Sequence, residues 1–137
     1  MRVILDTNVF ISGIFWEGNY CSQIIDLWMK GKFELVVSKD TLDELVKTLK
    51  SFKIPLKIDL IEDWRKLLIE NSICIETSHK LNVIKEDPDD DKFLETAIEG
   101  KAEIIVSQDN HLLRLKEFQG IKIITPKEFL DVVGDSI

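Results

Sequence analysis

The sequence predicts an α/β fold in which a central parallel sheet of about five strands is flanked by helices in three layers. The first observation is a set of short apolar runs, which are typical of strands buried on both faces of a sheet. The second is that segments with apolar residues at helical spacing separate these runs, and such alternation favours parallel strands. The predicted strands are Val3–Leu5, Phe33–Val37, Ile73–Ile75, Glu103–Val106 and Ile121–Ile124.

The predicted helices are bounded by residues that favour helix ends. The first three are expected from Val9 to about Phe15, from Asn19 to Gly31, and after a cap at Ser38 or Asp40 over Leu42, Leu45, Val46 and Leu49. The next follow Pro55 over Leu60, Ile61, Trp64, Leu67 and Leu68, then cover Phe93, Leu94, Ala97 and Ile98 up to Gly100, and then Leu112 to Leu115. The last begins at a capping box of Thr125 and Glu128 with Pro126 at the first helical position.

Length and composition narrow the class of protein. The 137 residues suit a single domain, residues 1–137, and 45% hydrophobic with 31% charged residues is ordinary for a globular protein. No apolar run approaches the roughly 18 residues of a membrane span, and the N-terminus lacks the features of a signal peptide, so a cytoplasmic location is expected. A net charge of −7 argues against a general nucleic-acid binder but leaves a nuclease open. Cys21 and Cys74 match no zinc or redox spacing and are expected to be small buried residues.

Acidic residues follow four of the predicted strands. Asp6, Glu44, Asp90 and Asp109 come after the first, second, third and fourth strands, respectively. Since the carboxyl ends of parallel strands meet at the edge where α/β sheets bind ligands, the four carboxylates are expected to lie together. Alone, Asp6 could equally well cap the following helix. The other three acids favour a ligand role for Asp6 and leave Asn8 as the expected cap.

Asp90 and Asp91 compete for one of these positions. Asp90 shares a helical stripe with Phe93, which must face the sheet, so Asp90 is expected to point inward from the first turn of its helix. Asp91 lies off this line and is interpreted as a flanking residue. Asp87 and Asp89 precede the helix in an irregular segment and are interpreted as solvated loop residues or as neighbours of the ligands.

Clustered carboxylates repel one another, and a bound divalent cation relieves the repulsion. Oxygen ligands suit Mg²⁺ or Mn²⁺, so one or two such ions are predicted. The histidines form no zinc set: His79 is expected at the surface, and His111, just beyond Asp109, is either structural or at the rim of the site. An EF-hand is excluded because Lys92 replaces the required glycine and Ile98 replaces the closing glutamate.

Four motifs along the chain carry a family resemblance. They are Val3-Ile-Leu-Asp6-Thr-Asn8-Val-Phe10, Leu42-Asp-Glu44-Leu45, Asp87-Pro-Asp-Asp90-Asp-Lys-Phe-Leu-Glu-Thr-Ala97 and Ile105-Val-Ser107-Gln-Asp109. Together, and in this order over essentially the whole chain, they resemble the PIN-domain family. The most similar branch is that of the small single-domain toxin-like ribonucleases, so the fold is expected to be PIN-like.

The resemblance implies a metal-dependent endoribonuclease that acts as the toxin of a toxin–antitoxin pair. It assigns catalytic and metal-binding roles to Asp6, Glu44, Asp90 and Asp109, with Asn8, Ser107 and Asp91 in support. It also implies Mg²⁺ or Mn²⁺ as the cofactor, single-stranded or looped RNA as the substrate, an antitoxin partner and a homodimer. The chain departs from the pattern at Asp91, where relatives often have asparagine, and at His111, where they often have a further aspartate.

Two other classes of protein remain open from the residues. A phosphoryl-transfer enzyme of the haloacid-dehalogenase-like fold would use Asp6 as its nucleophile, although the second aspartate expected there is Asn8. A non-catalytic scaffold that binds metal or a protein partner is the other, although a receiver domain would need a lysine where Thr125 stands. Five lysines near Glu44 are either a phosphate-contacting rim or an ordinary solvated face. They are Lys39, Lys47, Lys50, Lys53 and Lys57.

Overall fold

The structure is a computed structural model that describes residues 1–77, 80, 81, 83, 84 and 90–134. Its strands are β1 (Arg2–Leu5), β2 (Glu34–Ser38), β3 (Ile73–Ile75), β4 (Ile104–Val106), β5 (Glu117–Phe118) and β6 (Ile121–Ile124). Its helices are α1 (Thr7–Phe15), α2 (Tyr20–Met29), α3 (Lys39–Ser51), α4 (Ile58–Asn71), α5 (Asp91–Glu99), α6 (Asn110–Leu113) and α7 (Pro126–Gly134). Each predicted helix and strand is therefore present, with bounds shifted by a few residues.

The strands form one sheet in the order β3-β2-β1-β4-β6-β5. β1 lies at the centre and pairs in parallel with β2 and with β4, where Leu5 is opposite Val106. The five predicted strands all run parallel, which confirms the predicted fold class. The sixth strand, β5, is antiparallel and places Phe118 opposite Ile121. It was not predicted because a strand of 2 residues is too short to show the alternation of apolar and polar residues that is typical of strands.

Helices cover both faces of the sheet. Successive strand residues point to opposite faces, so Val3 and Leu5 pack against α1 to α4 and α7, whereas Ile4 packs against α5 and α6. All three side chains are at most 3% exposed. This burial on both sides explains the uninterrupted apolar run in the sequence and gives the three predicted layers.

Most of the predicted helix ends are confirmed. The Asn19 side chain caps α2, and Ser38 caps α3 in a reciprocal pair with Thr41. At the start of α7, the Thr125 backbone N–H donates to Glu128 Oε1 at 3.1 Å, and the Glu128 N–H donates to Thr125 Oγ1 at 3.2 Å. These local polar pairs satisfy backbone groups that a helix leaves open at its N-terminus.

One prediction of burial is wrong, that of Cys74, and one side chain of the predicted apolar stripe of α4, that of Leu60, lies outside the core. Leu60 is 46% exposed because Ile61 and Leu68 face the core, and adjacent residues lie about 100° apart around a helix. Cys74 is exposed because it lies on β3, which forms one edge of the sheet. Cys21 is buried on α2, as predicted.

The predictions for His79, Asp87 and Asp89 concern residues outside the described ranges. Among the helices that are described, none combines the length and the apolar character needed to cross a membrane.

Candidate active site

One hydrogen-bonded network joins the carboxyl ends of β1 and β4. The Asp6 backbone N–H donates to the Val106 carbonyl oxygen at 3.0 Å, which extends the strand pairing to the first acid. Beyond it, the hydroxyl of the fully buried Ser107 donates to Asp6 Oδ2 at 2.6 Å and accepts the Asp109 backbone N–H at 2.9 Å. Ser107 thus links two of the acids that the sequence places at this edge.

Asp6 is a buried acid with an altered affinity for its proton. The pKa of Asp6 is raised from 3.8 to about 6, chiefly because the buried carboxylate loses hydration when it ionises. The negative charges of Asp109 and Glu44 contribute to this rise, and the hydrogen bonds from Ser107 and from the Asn8 backbone oppose it. Asp109 and Glu44 are therefore each close enough to Asp6 to disfavour its negative charge.

Asp6 also occupies the position that the sequence assigns to Asn8, the cap of α1. Its backbone is extended (φ −61°, ψ 151°), and its Oδ1 accepts the Asn8 backbone N–H at 3.4 Å. The prediction of Asn8 as the cap is wrong, because the helix begins at Thr7 rather than at Val9. Asn8 is exposed and supports Asp6 through its backbone.

Glu44 is held between two other helices. From α1, the Thr7 hydroxyl donates to Glu44 Oε2, and from α5, Lys92 Nζ lies 2.9 Å from Glu44 Oε1. Both members of the ion pair are about a quarter exposed, with side-chain exposures of 21% for Lys92 and 26% for Glu44. The sequence assigns no role to Thr7 or to Lys92 at the site, because neither the Thr7–Glu44 nor the Lys92–Glu44 contact follows from a local pattern.

Asp90, Asp109 and His111 form the most compact group of possible ligands. One side-chain donor atom from each lies within 4.8 Å of the others. Asp90, directly before α5, is buried as predicted, whereas Asp109 and His111 are half-buried. The sequence leaves His111 either structural or at the rim. The structure places His111 beside Asp109. The short Asp109-x-His111 spacing is the sequence signal that could have predicted this proximity.

Asp91 has a different set of contacts. It is 3% exposed, and its carboxylate accepts the backbone N–H groups of Val83 at 3.3 Å and Ile84 at 3.0 Å. The buried Glu95, one turn later on α5, accepts the Leu81 N–H at 2.8 Å in the same way. Asp91 therefore ties the chain before α5 to the helix, while Asp90 lies with Asp109 and His111.

A groove of about 500 Å³ adjoins Glu44. Its charged lining residues, besides Glu44, are Asp40, Asp43, Glu95, Lys47, Lys80 and Lys92. Of the lysines considered as a rim, Lys47 lines this groove and Lys50 lines a neighbouring hollow beside Arg65. Lys39, Lys53 and Lys57 are exposed to solvent. Basic side chains therefore reach the acidic site even though the protein as a whole is negatively charged.

The side chains at this edge fit a divalent cation. Carboxylate oxygens are the ligands that Mg²⁺ and Mn²⁺ prefer, and imidazole nitrogen suits transition metals. Asp90, Asp109 and His111 offer these donors close together, and the buried Asp6 carboxylate would be stabilised in its charged form by a nearby cation. The donor atoms at this edge could therefore hold a divalent cation.

Comparisons with known proteins agree with the α/β fold of this chain. A model of the PIN domain family matches residues 2–111. An uncharacterised protein of Methanocaldococcus jannaschii, MJ1680, is 31% identical over 144 residues, which cover 96% of this chain and 90% of that protein. Two solved structures share the fold and are similar over 91% of this chain and 98% of theirs. They are VapBC2 from Rickettsia felis bound to a DNA fragment from their promoter (TM-score 0.62, 16% identity) and FitAcB from Neisseria gonorrhoeae (TM-score 0.55, 13% identity).

The family match spans both strand ends that carry the linked acids, and it covers well over half of the 137 residues. The chain therefore belongs to the PIN domain family, whose members are generally nucleases that use divalent metals.

Proposed function

We propose that this protein is a metal-dependent endoribonuclease that hydrolyses RNA phosphodiester bonds, and that it is the toxin of a toxin–antitoxin pair. The observation that carries the proposal is the meeting of Asp6, Asp109 and Glu44 with Asp90 at one edge of the sheet. Membership of a nuclease family supports the same chemistry. The proposal includes a single domain over residues 1–137 that acts in the cytoplasm.

The contacts of the side chains support a proposed role for each of them. Asp90 and Asp109 would hold one or two Mg²⁺ or Mn²⁺ ions, with Asp6 and Glu44 completing the negative site. When bound, the metal supplies a water of lowered pKa and neutralises charge that develops on the phosphate. Ser107 keeps the Asp6 carboxylate in place through its 2.6 Å hydrogen bond.

RNA would approach through the groove beside Glu44. Lys47 and Lys92 line it and can contact backbone phosphates, which offsets part of the repulsion from the acids. A single strand suits this route, since its backbone can bend into a cleft that a rigid duplex does not enter. Water would replace the 3′-oxygen at phosphorus, which leaves a 5′-phosphate on one product and a 3′-hydroxyl on the other.

The cleavage assay follows directly. The purified chain is incubated with end-labelled single-stranded RNAs and Mn²⁺, and we expect internal cuts with 5′-phosphate ends. EDTA should abolish the cuts, and excess Mn²⁺ should restore them. A matched control is the same RNA with Mn²⁺ and the Asp109→Asn protein, which lacks one proposed ligand.

Two outcomes would favour the competing classes. Metal binding without cleavage of any of a varied set of RNAs would favour a non-catalytic scaffold. A phosphoryl group trapped on Asp6 would favour the phosphoryl-transfer enzyme, in which that residue is the nucleophile.

Exposed apolar side chains on α2 and α4 support the proposal that the chain binds protein partners. Met29 of α2 is 53% exposed and Leu60 of α4 is 46% exposed. Together with Trp64, Leu67 and the single charged residue Asp63 they line a hollow of about 120 Å³. Contiguous exposed apolar surface of this kind marks protein interfaces. We propose that this face joins two copies of the chain in a homodimer, and that a separate antitoxin protein binds the same chain to neutralise it.

Light scattering tests the dimer. The wild-type chain is expected to have twice its 15.8 kDa mass, and Leu60→Asp is expected to have the mass of one chain, because a second carboxylate would then lie beside Asp63 and both would be buried at the interface without a cationic partner. Ile54→Asp is the control, since Ile54 is similarly exposed at 39% and does not line the hollow. A monomeric wild-type chain would reject the dimer. A small protein encoded beside this chain that binds it and stops cleavage would identify the antitoxin.

A further inference from the structure

We propose that His111 is a nitrogen ligand of the metal site, and that it makes the site prefer Mn²⁺ and similar transition metals over Mg²⁺. The inference rests on the proposed function in one respect, namely that the acidic site holds a divalent cation. It adds the identity of the preferred ion, which neither the family match nor the carboxylates determine.

The position of the His111 ring supports this role. Asp109 is the cap of α6, and its Oδ1 accepts the His111 backbone N–H at 2.8 Å, which fixes the residue next to the acid. His111 Nδ1 lies 3.7 Å from the same Oδ1, beyond hydrogen-bond distance. The two residues can therefore offer separate donor atoms to one ion, and with Asp90 these atoms lie within 4.8 Å of one another.

The Nδ1 atom itself is placed as a ligand would be. It is buried, and within the described part of the chain it has no hydrogen-bond partner. Buried polar atoms in folded proteins nearly always have a partner, and one without a partner in the chain requires an explanation such as an ion. A cation between Nδ1 and the two carboxylates would satisfy it.

The nitrogen changes the chemistry of the site. Mg²⁺ prefers an all-oxygen octahedral shell, whereas imidazole suits transition metals, for which affinity rises from Mn²⁺ towards Zn²⁺. His111 therefore adds a nitrogen donor to a group whose other donors are the carboxylate oxygens of Asp90 and Asp109. This nitrogen donor should move the metal preference away from Mg²⁺.

Metal binding without RNA tests the proposal. Dissociation constants for Mn²⁺ and Mg²⁺ are measured by calorimetry on the wild type, His111→Asp and His111→Asn. The preference for Mn²⁺ over Mg²⁺ is expected to fall at least about tenfold in His111→Asp, which restores an all-oxygen set. Both variants keep the bond to Asp109, because that bond uses the backbone N–H of residue 111. Thermal melting confirms that each variant is folded.

Electron spin-echo spectroscopy of bound Mn²⁺ gives a direct second readout. The wild type should show coupling to a ¹⁴N nucleus, and both His111 variants should lose it. His79→Ala is the control, since His79 is the other histidine in the sequence, and it should keep the signal. An unchanged metal preference in His111→Asp, or a nitrogen signal that is absent from the wild type or lost only in His79→Ala, would overturn the proposal. Nitrogen ligation without any RNA cleavage would overturn the nuclease function and leave His111 as a ligand.

Discussion

Replacing Asp6 with asparagine is expected to reduce RNA cleavage by about 100-fold or more, because a metal-site carboxylate contributes at least as much as the groups that orient it. Asp6 is 4% exposed and is joined through Ser107 to Asp109. The substitution therefore removes a buried negative charge from the acidic group that would attract the metal. The measurement is the initial rate of cleavage at saturating Mn²⁺. Undiminished activity would show that Asp6 is not part of the catalytic site.

The same Asp6→Asn substitution is expected to stabilise the metal-free protein at neutral pH. The folded pKa of Asp6, about 6, lies above its ordinary 3.8, so the folded state binds the proton more tightly than the unfolded state. The wild type therefore loses stability as the pH rises from about 4 to 6, by about 2–3 kcal/mol at 1.36 kcal/mol per pKa unit. The uncharged asparagine escapes this loss.

Urea unfolding at several pH values, with EDTA present, measures the effect. The advantage of Asp6→Asn over the wild type should be present at pH 8 and should vanish near pH 4, where both side chains are neutral. The exposed Asp26 on α2 provides the control, since Asp26→Asn should leave stability unchanged. A difference between Asp6→Asn and wild type that does not depend on pH would show that burial of the Asp6 charge is not its cause.

The fold and the main acids could be predicted because their signals are local. An apolar run such as Val3–Leu5 predicts a buried strand, and the first polar residue after it must lie at the sheet edge where ligands bind. Ser107 follows Val106 in the same way, and both residues lie at the end of β4. Such positions depend on the order of residues along the chain and not on the packing of distant helices.

The contacts around Glu44 could not be predicted because they join residues that are far apart in the sequence. Thr7 and Glu44 are separated by 37 positions and Lys92 and Glu44 by 48, so their meeting depends on how α1, α3 and α5 pack. The cap of α1 was missed because an aspartate can serve both as cap and as site residue, and the sequence pattern does not separate these roles. Asp6 has both.

Substitutions of the neighbouring Asp90 and Asp91 are expected to have different effects, although the sequence left open which of the two is the metal ligand. Asp90→Asn is expected to weaken Mn²⁺ binding and RNA cleavage by about 100-fold or more, with a smaller loss of stability in EDTA than Asp91→Asn. The reason is that Asp90 lies within 4.8 Å of donor atoms of Asp109 and His111, so removing its charge relieves repulsion while it removes a ligand. Calorimetry with Mn²⁺ and urea unfolding in EDTA measure the two effects on one preparation.

Asp91→Asn is expected to give the opposite result, with a loss of about 1–3 kcal/mol of stability and metal affinity close to that of the wild type. The Asp91 carboxylate is buried and accepts backbone N–H groups from Val83 and Ile84, and an amide replaces these charge-assisted bonds with weaker ones. If Asp91→Asn abolished Mn²⁺ binding while Asp90→Asn left it intact, the ligand would be Asp91. Asp90 lies directly before α5 and Asp91 is the first residue of that helix, so one carboxylate turns towards Asp109 and the other towards the backbone of residues 83 and 84. Asp90 and Asp91 are the same residue type, so the direction in which each side chain points decides which one is the expected ligand and which one is structural.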